Sequence, residues 1–329
     1  MQPPPEHIRR LALACAEDGR VFRGDSRTLV IADAEIARDV LEAPGFLLKA
    51  PAVLRDPRPS SARRDFHEIV RSIAPACRDR AAGLDVRALA VGRWPAHGVS
   101  AFRHQVMQPA IEEVLADDVR DRVRRLVAVR DRVSRVPGAT TLMDVLGQGR
   151  ATTSSDMELV RAVIGTGRPL GHALASTVYL MLHHRDRARA ATVEHLVRES
   201  LRLAPPAWLV VREIAEADAA PDSLGGDALR GVRSIAVCVY LAQRDPAVWS
   251  APDVWDPSRW DGRTRNTLGF LPFGAGEERC FGRGLSYDLL VQVVGALRER
   301  LDQLTITRES ALRPGPLFGL ADFDTALRR

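Results

Sequence analysis

One cysteine enclosed by glycines, in the stretch FLPFGAGEERCFGRG at residues 270–284, constrains this chain more than any other feature. Cys280 lies among Gly274, Gly276, Gly282 and Gly284, after the corner Pro272–Phe273 and before an amphipathic helical pattern over 285–301. Glycine admits positive φ and lets backbone N–H groups converge on one atom. A sulfur held there at the mouth of a helix is biased toward the thiolate, the form that binds a metal. The same residues also read as a plain Gly-rich turn with a buried cysteine, so the rest of the chain has to decide between the two. Cys15, Cys77 and Cys238 are scattered, with no Cys-x-x-Cys pair, which argues against a zinc site or a disulfide framework. They read as small buried apolar residues.

A chain of 329 residues, 46% hydrophobic, can bury a large core, as one big domain or two. It has no long apolar run, and its start, MQPPPEHIRR, reads as neither signal peptide nor anchor, so a soluble, cytoplasmic protein without a membrane partner is expected. The net charge of +5 comes from arginine, Lys49 being the only lysine. A basic surface suits an acidic electron-transfer partner; nothing but charge speaks for nucleic acid, and none is expected. The basic segment 119–136 reads as a solvated amphipathic helix.

Along the chain, residues 19–33 predict two short strands around a Gly-Asp-Ser turn, followed by a helix through AEIARDVLE. A connector with Pro44, Pro51, Pro57 and Pro59 predicts an ordered loop. From Ser61 to about Pro137 the pattern is mostly helical, broken near Trp94, Pro95 and Gly98. Residues 152–186 predict one long helix, interrupted in the middle by Gly165, Gly167, Pro169 and Gly171. A helix through Arg202, a strand through LVVRE, the apolar run SIAVCVYLA and the cysteine loop complete the pattern, with no internal repeat.

Glu199 and Arg202 stand at i, i+3 on one helix face. Glu-x-x-Arg occurs at six places here, led by Glu6, Glu17, Glu35, Glu68, Glu158 and Glu199, and only the last has distinctive surroundings. After it come Pro205–Pro206, a strand bearing Arg212, Arg244-Asp245-Pro246, Asp256-Pro257-Ser258-Arg259-Trp260, and then the cysteine loop. That order and spacing, with Phe273, Gly276, Cys280 and Gly282 in the pattern Phe-x-x-Gly-x-x-x-Cys-x-Gly, resembles the C-terminal half of the cytochrome P450 family. His67 and Arg71, at i, i+4, resemble the family's N-terminal His-x-x-x-Arg pair.

The resemblance implies a mainly α chain with a small β-sheet region, an α+β fold of P450 type, as a single heme-binding domain over residues 1–329. It implies heme b as cofactor, with Cys280 as the ligand of its iron in a loop shaped by Phe273, Gly276 and Gly282. His67, Arg71 and Arg212 would hold the propionates, and Glu199, Arg202 and Arg259 would form a structural triad. Guanidinium groups suit a propionate because their forked donors are permanently charged. The chain is shorter than is usual for the family, before the first strand and between residues 75 and 150, where the substrate lid is normally built.

Two departures stand out. Glu278 occupies a position, two before the cysteine, where the family has a basic residue, and it is expected to point away or pair with Arg279. In the long helix, Arg168 and Pro169 replace an acid and a threonine that relay protons. Arginine is always charged and proline lacks even its N–H, so neither supplies a titratable or hydroxylic group. The Arg-Pro pair resembles that of the P450 peroxygenases, where the arginine binds a substrate carboxylate that does the acid–base work. The resemblance thus implies an oxidoreductase of specialised metabolism, a monooxygenase or peroxygenase, acting on a small organic substrate. It would draw electrons from ferredoxin and its reductase, or need no partner if driven by peroxide. Two alternatives stand beside it: a heme-thiolate dehydratase, isomerase or bond-forming enzyme, and a non-catalytic heme-binding relative.

Overall fold

The computed structural model describes residues 5–43, 46–48, 60–114, 154–214, 221–224, 226–311 and 317–328. The four connector prolines and the basic segment 119–136 lie outside them.

The first elements follow local chemistry. Helix α1 (Glu6–Asp18) leads into β1 (Val21–Arg23) and β2 (Thr28–Ile31), an antiparallel pair around the Gly-Asp-Ser turn. The turn is tied by Gly24 N to Thr28 O, 3.0 Å, and by Arg27 N to Asp25 Oδ1, 2.7 Å. Helix α2 (Ala34–Glu42) starts at Asp33, whose Oδ1 accepts from the N–H groups of Glu35 and Ile36. After β3 (Phe46–Leu48) comes a helical stretch, α3 (Ser60–Ala82), α4 (Val86–Ala90), α5 (Ala96–Ser100), a π-helical turn (Ala101–Met107) and α6 (Gln108–Val114). Strand β4 (Gly92–Trp94) interrupts it, at the break that the Trp-Pro-Gly cluster predicts.

Helices α7 (Ser154–His183), α8 (Arg185–Ala190) and α9 (Val193–Leu203) follow, then β5 (Val210–Ile214), β6 (Ser234–Val237) and α10 (Val239–Ala242). Helix α11 (Arg283–Arg298) follows the cysteine loop, and β7 (Leu304–Ser310) and β8 (Asp322–Leu327) end the described chain. A five-stranded mixed sheet runs β1-β2-β6-β5-β3, with β2 and β6 parallel; a smaller antiparallel sheet runs β4-β8-β7. Strand β6 is buried at all four positions, which is why SIAV reads as a continuous apolar run without alternation.

The long helix corrects one expectation. α7 runs unbroken through Gly165, Gly167, Pro169 and Gly171. A Cβ on Gly171 would lie 2.4 Å from Val99 N and 2.5 Å from Val99 Cα, so α5 crosses α7 backbone against backbone. This glycine is a spacer between helices, and tertiary contact offsets the roughly 1 kcal/mol that glycine costs inside a helix. From 170 to 182 every residue of α7 is buried, which makes it the central helix of the main core. α7 packs against α3, α5, the π-helical turn, α9 and α11. A second apolar cluster lies between α2 and the larger sheet, and Leu271 of the cysteine loop belongs to it.

Candidate functional site

The cysteine loop is anchored on both sides. Leu271 and Phe273 pack into the two apolar clusters, and Cys280 N donates to Phe273 O at 2.8 Å, closing the loop on itself. Gly274 and Gly276 have φ of 70° and 68°. A Cβ on Gly276 would come within 2.5 Å of Leu41 O and 2.7 Å of Glu42 Cα, so the loop is pressed against the end of α2. Gly282 and Gly284 depart from a cage built on positive φ. Gly282 is the N-cap of α11 at φ −78°, and Gly284 lies inside that helix. Their smallness leaves room at the helix start and is not used for an unusual backbone conformation; around Gly284 a Cβ would meet nothing within 4 Å.

Cys280 is exposed, whereas Cys77 and Cys238 are buried and Cys15 is half-buried. Burial pushes the thiols of Cys77 and Cys238 up to about 12 and raises that of Cys15. Cys280 is therefore the accessible cysteine sulfur of this chain, just ahead of the sixteen-residue helix α11. An exposed sulfur, a narrow glycine approach and open space beyond Gly284 fit an iron–thiolate group.

The predicted propionate residues are spread over two elements. Arg71 is exposed on α3 and lines a cavity of about 430 Å³ together with Val70, Ala74, Pro75, Arg78, Gly284, Leu285 and Asp288. The cavity thus joins α3 to the start of α11, and an ion pair from Arg78 Nη2 to Asp288 Oδ2, 2.9 Å, crosses between the same helices. Cys280 is not among its lining residues. His67 lies four residues before Arg71 on α3, with its side chain outside the described set. Arg212 is 1% exposed on β5, paired in register with Ile235 of β6 and Leu48 of β3.

Glu199, Arg202 and Arg259 meet in one buried cluster. Glu199 Oε2 and Oε1 accept from Arg202 Nε and Nη2, both at 2.9 Å, in a bidentate pair in which both side chains are 0% exposed. Glu199 Oε1 also accepts from Arg259 Nε at 2.9 Å and Asp256 N at 3.0 Å, and Oε2 from Trp260 Nε1 at 3.0 Å. Arg202 sends its remaining donors to the carbonyls of Gln243, Pro252 and Val254. Charges this deep persist only when so fully bonded.

Gln243 is a member that sequence reasoning missed. It is 0% exposed; its Nε2 donates to Leu201 O at 3.0 Å and Arg202 O at 2.8 Å, while its Oε1 accepts from Leu271 N at 2.8 Å. One amide therefore ties the end of α9 to the cysteine loop. Its signal was faint: a lone glutamine between an apolar run and Arg244-Asp245-Pro246. Asp245 makes a comparable link, accepting from Ala34 N at 2.9 Å and forming an ion pair with Arg20, Nε to Oδ2 3.1 Å, and so fixes the N-terminal strands to the core.

Across from the loop, α7 packs on α11. Arg168 is exposed on it and Pro169 half-buried, between the buried Gly167 and Leu170. These two residues therefore stand at the start of the fully buried stretch 170–182.

A family model described as Cytochrome P450 matches residues 139–297. Cyclooctatin synthase of Streptomyces melanosporofaciens is 30% identical over 235 residues, covering 66% of this chain and 50% of that protein. Germacrene A hydroxylase of Cichorium intybus is 29% identical over 155 residues, covering 44% of this chain and 31% of its own length. The chain thus spans half or less of the length of these relatives. Among solved structures, P450BioI in complex with hexadec-9Z-enoic acid ligated acyl carrier protein superimposes with a TM-score of 0.67 at 15% identity, over 98% of this chain and 99% of its own. CYP109B1 from Bacillus subtilis gives 0.66 at 13% identity, over 97% and 98%. With the α+β fold, the glycine-bound cysteine loop and these matches in agreement, residues 139–297 form a region of the cytochrome P450 family and the described chain has the P450 fold.

Proposed function

We propose that this chain is a heme-thiolate oxidoreductase that oxidises a small organic substrate bearing an acidic group. The observation that carries the reading is Cys280: of four cysteines it alone is exposed, on a loop held by Gly276 and Gln243 at the start of α11. Cys280 would hold the iron of heme b, Arg71, His67 and Arg212 would hold its propionates, and Phe273, Gly276 and Gly282 would shape the loop. When bound, the group supplies oxidation of the substrate at the expense of dioxygen or peroxide, with the thiolate donating electron density.

The chain's own residues do the rest. The buried Glu199–Arg202–Arg259 cluster and Gln243 keep the loop in place. Arg168 fixes position and charge of a carboxylate with its forked donors. Because Pro169 offers neither hydroxyl nor N–H, that carboxylate takes over the acid–base work. The partner is then peroxide alone. Electrons from a ferredoxin and its reductase are the alternative source. A second reading, a heme-thiolate dehydratase, isomerase or bond-forming enzyme, is favoured by the same Arg168–Pro169 pair, since a reaction without dioxygen does not need the missing acid and alcohol.

Spectroscopy of the purified, heme-loaded chain tests the assignment. The ferrous carbonyl complex is expected to show the red-shifted band of thiolate ligation, and C280S to lose it; an unshifted band in the wild type would overturn the reading. Turnover of a carboxylic acid with peroxide alone is expected, and R168A to lower kcat/KM by about 10- to 100-fold, the worth of a charge-assisted hydrogen bond. Equal turnover by R168A, or activity only with a ferredoxin system, would remove the role given to Arg168.

A further inference from the structure

Helix α7 carries two buried polar atoms that make no hydrogen bond, His172 Nδ1 and Ser176 Oγ. His172 is 8% exposed and Ser176 2%. Both follow Arg168 at intervals of four residues, so 168, 172 and 176 form one strip along the helix, neighbours being about 5–6 Å apart at Cβ. Thr177, next in the chain, is by contrast satisfied through Ala173 O at 2.9 Å. A buried polar atom left unbonded costs about 1–3 kcal/mol, so two on one strip, beginning at an exposed arginine, point to a polar group from outside the chain.

The charge that acts on His172 is positive. Arg168 acts on the ring from its own helix. From the π-helical turn packed on α7, Arg103 lies against Gly167. On α5, His97 bonds Ala88 O; α9 carries the closed pair Glu199–Arg202, and α3 and α11 share the pair Arg78–Asp288. Burial first, and Arg168 second, lower the imidazole from 6.5 to about 4, so it is neutral at ordinary pH. A carboxylate seated on Arg168 would cancel the repelling charge and accept a hydrogen bond, and both effects favour the imidazolium. The ring reorients readily about χ2, so either nitrogen can meet the ligand.

We propose that His172 is a second recognition point for an anionic substrate group held by Arg168, and that seating this group draws one proton from solvent onto the imidazole. The proposal rests on the acidic-substrate reading of Arg168. The proton balance is simple: carboxylate and proton enter together, no bond to carbon changes, and the proton returns to solvent when the ligand leaves. Affinity for the anion therefore rises as pH falls from neutral. His172 is in this sense also a specificity residue, since an alcohol or amide of the same shape gives the ring no reason to charge.

Isothermal titration of the heme-loaded chain, near pH 6.5 in two buffers of different ionisation enthalpy, measures the proton directly. Straight-chain carboxylates from hexanoate to tetradecanoate, each beside its matched primary alcohol, serve as probes. The carboxylates are expected to bind with uptake of about one proton and the alcohols with none. H172Q should keep the preference for carboxylate over alcohol yet lose the uptake and the pH dependence. Carboxylate preference that disappears in R168A, with no uptake in the wild type or with the same uptake in H172Q, would overturn the role of His172 and leave that of Arg168 standing. Carboxylates that bind no better than alcohols, or do not bind, would take down both. Absence of uptake in the wild type overturns the role of His172 even if H172Q does not fold, and H172N then replaces it as the variant that should lose the uptake.

Discussion

Glu199 gathers five hydrogen bonds on one carboxylate. Its two oxygens accept from Arg202, Arg259, Trp260 and the backbone of Asp256, and the carboxylate itself is 0% exposed. Removing the charge would leave the 0%-exposed Arg202 without its counter-ion. E199Q is therefore expected to cost about 3–5 kcal/mol in unfolding free energy, read as a lowered urea midpoint at unchanged slope. A loss below about 1 kcal/mol would mean that the carbonyls of Gln243, Pro252 and Val254 suffice to hold the guanidinium. The acid and both arginines were legible as a motif because residue type and spacing mark them. Gln243 was not, since its importance lies in which two segments it touches.

At the scale of the element, α7 shows how one local signal can carry two meanings. Three glycines and a proline within seven residues ordinarily end a helix. Here the helix continues because Gly171 lets α5 approach to contact distance, and packing outweighs propensity. G171A, which improves helix propensity, is expected to destabilise by about 1–3 kcal/mol, as overpacking against the Val99 backbone forces the helices apart. G284A offers the contrast: helical and open around its missing Cβ, it should raise stability by about 0.5–1 kcal/mol. Thermal unfolding of the two variants beside the wild type gives the comparison, and a shift in the same direction for both would contradict the packing argument.

The whole molecule is held together across large distances in the chain. Asp245 secures the N-terminal strands, Gln243 the cysteine loop, and Arg244, over the Tyr240 ring at 3.7 Å, bonds Leu203 O at the end of α9. Among the described residues no helix is long and apolar enough to cross a membrane. His172 gives the fold as a whole a pH response. Its folded value of about 4 lies below the 6.5 expected when unfolded, so the unfolded chain takes the proton first and stability is lost as pH falls from about 6.5 to 4. The loss should approach about 3 kcal/mol, and urea midpoints measured across that range should flatten in H172Q. The chain by itself determined the family, the order of elements in the C-terminal half and the residue types of the cysteine loop and the Glu-Arg-Arg cluster, because these depend on chemistry repeated at fixed spacing. Only tertiary structure decided that Gly171 is a spacer, that Gln243 and Asp245 are ties, and that His172 is a buried, neutral imidazole. Each of those properties belongs to a contact between segments far apart in the chain, and spacing along one segment carries no record of what lies opposite it.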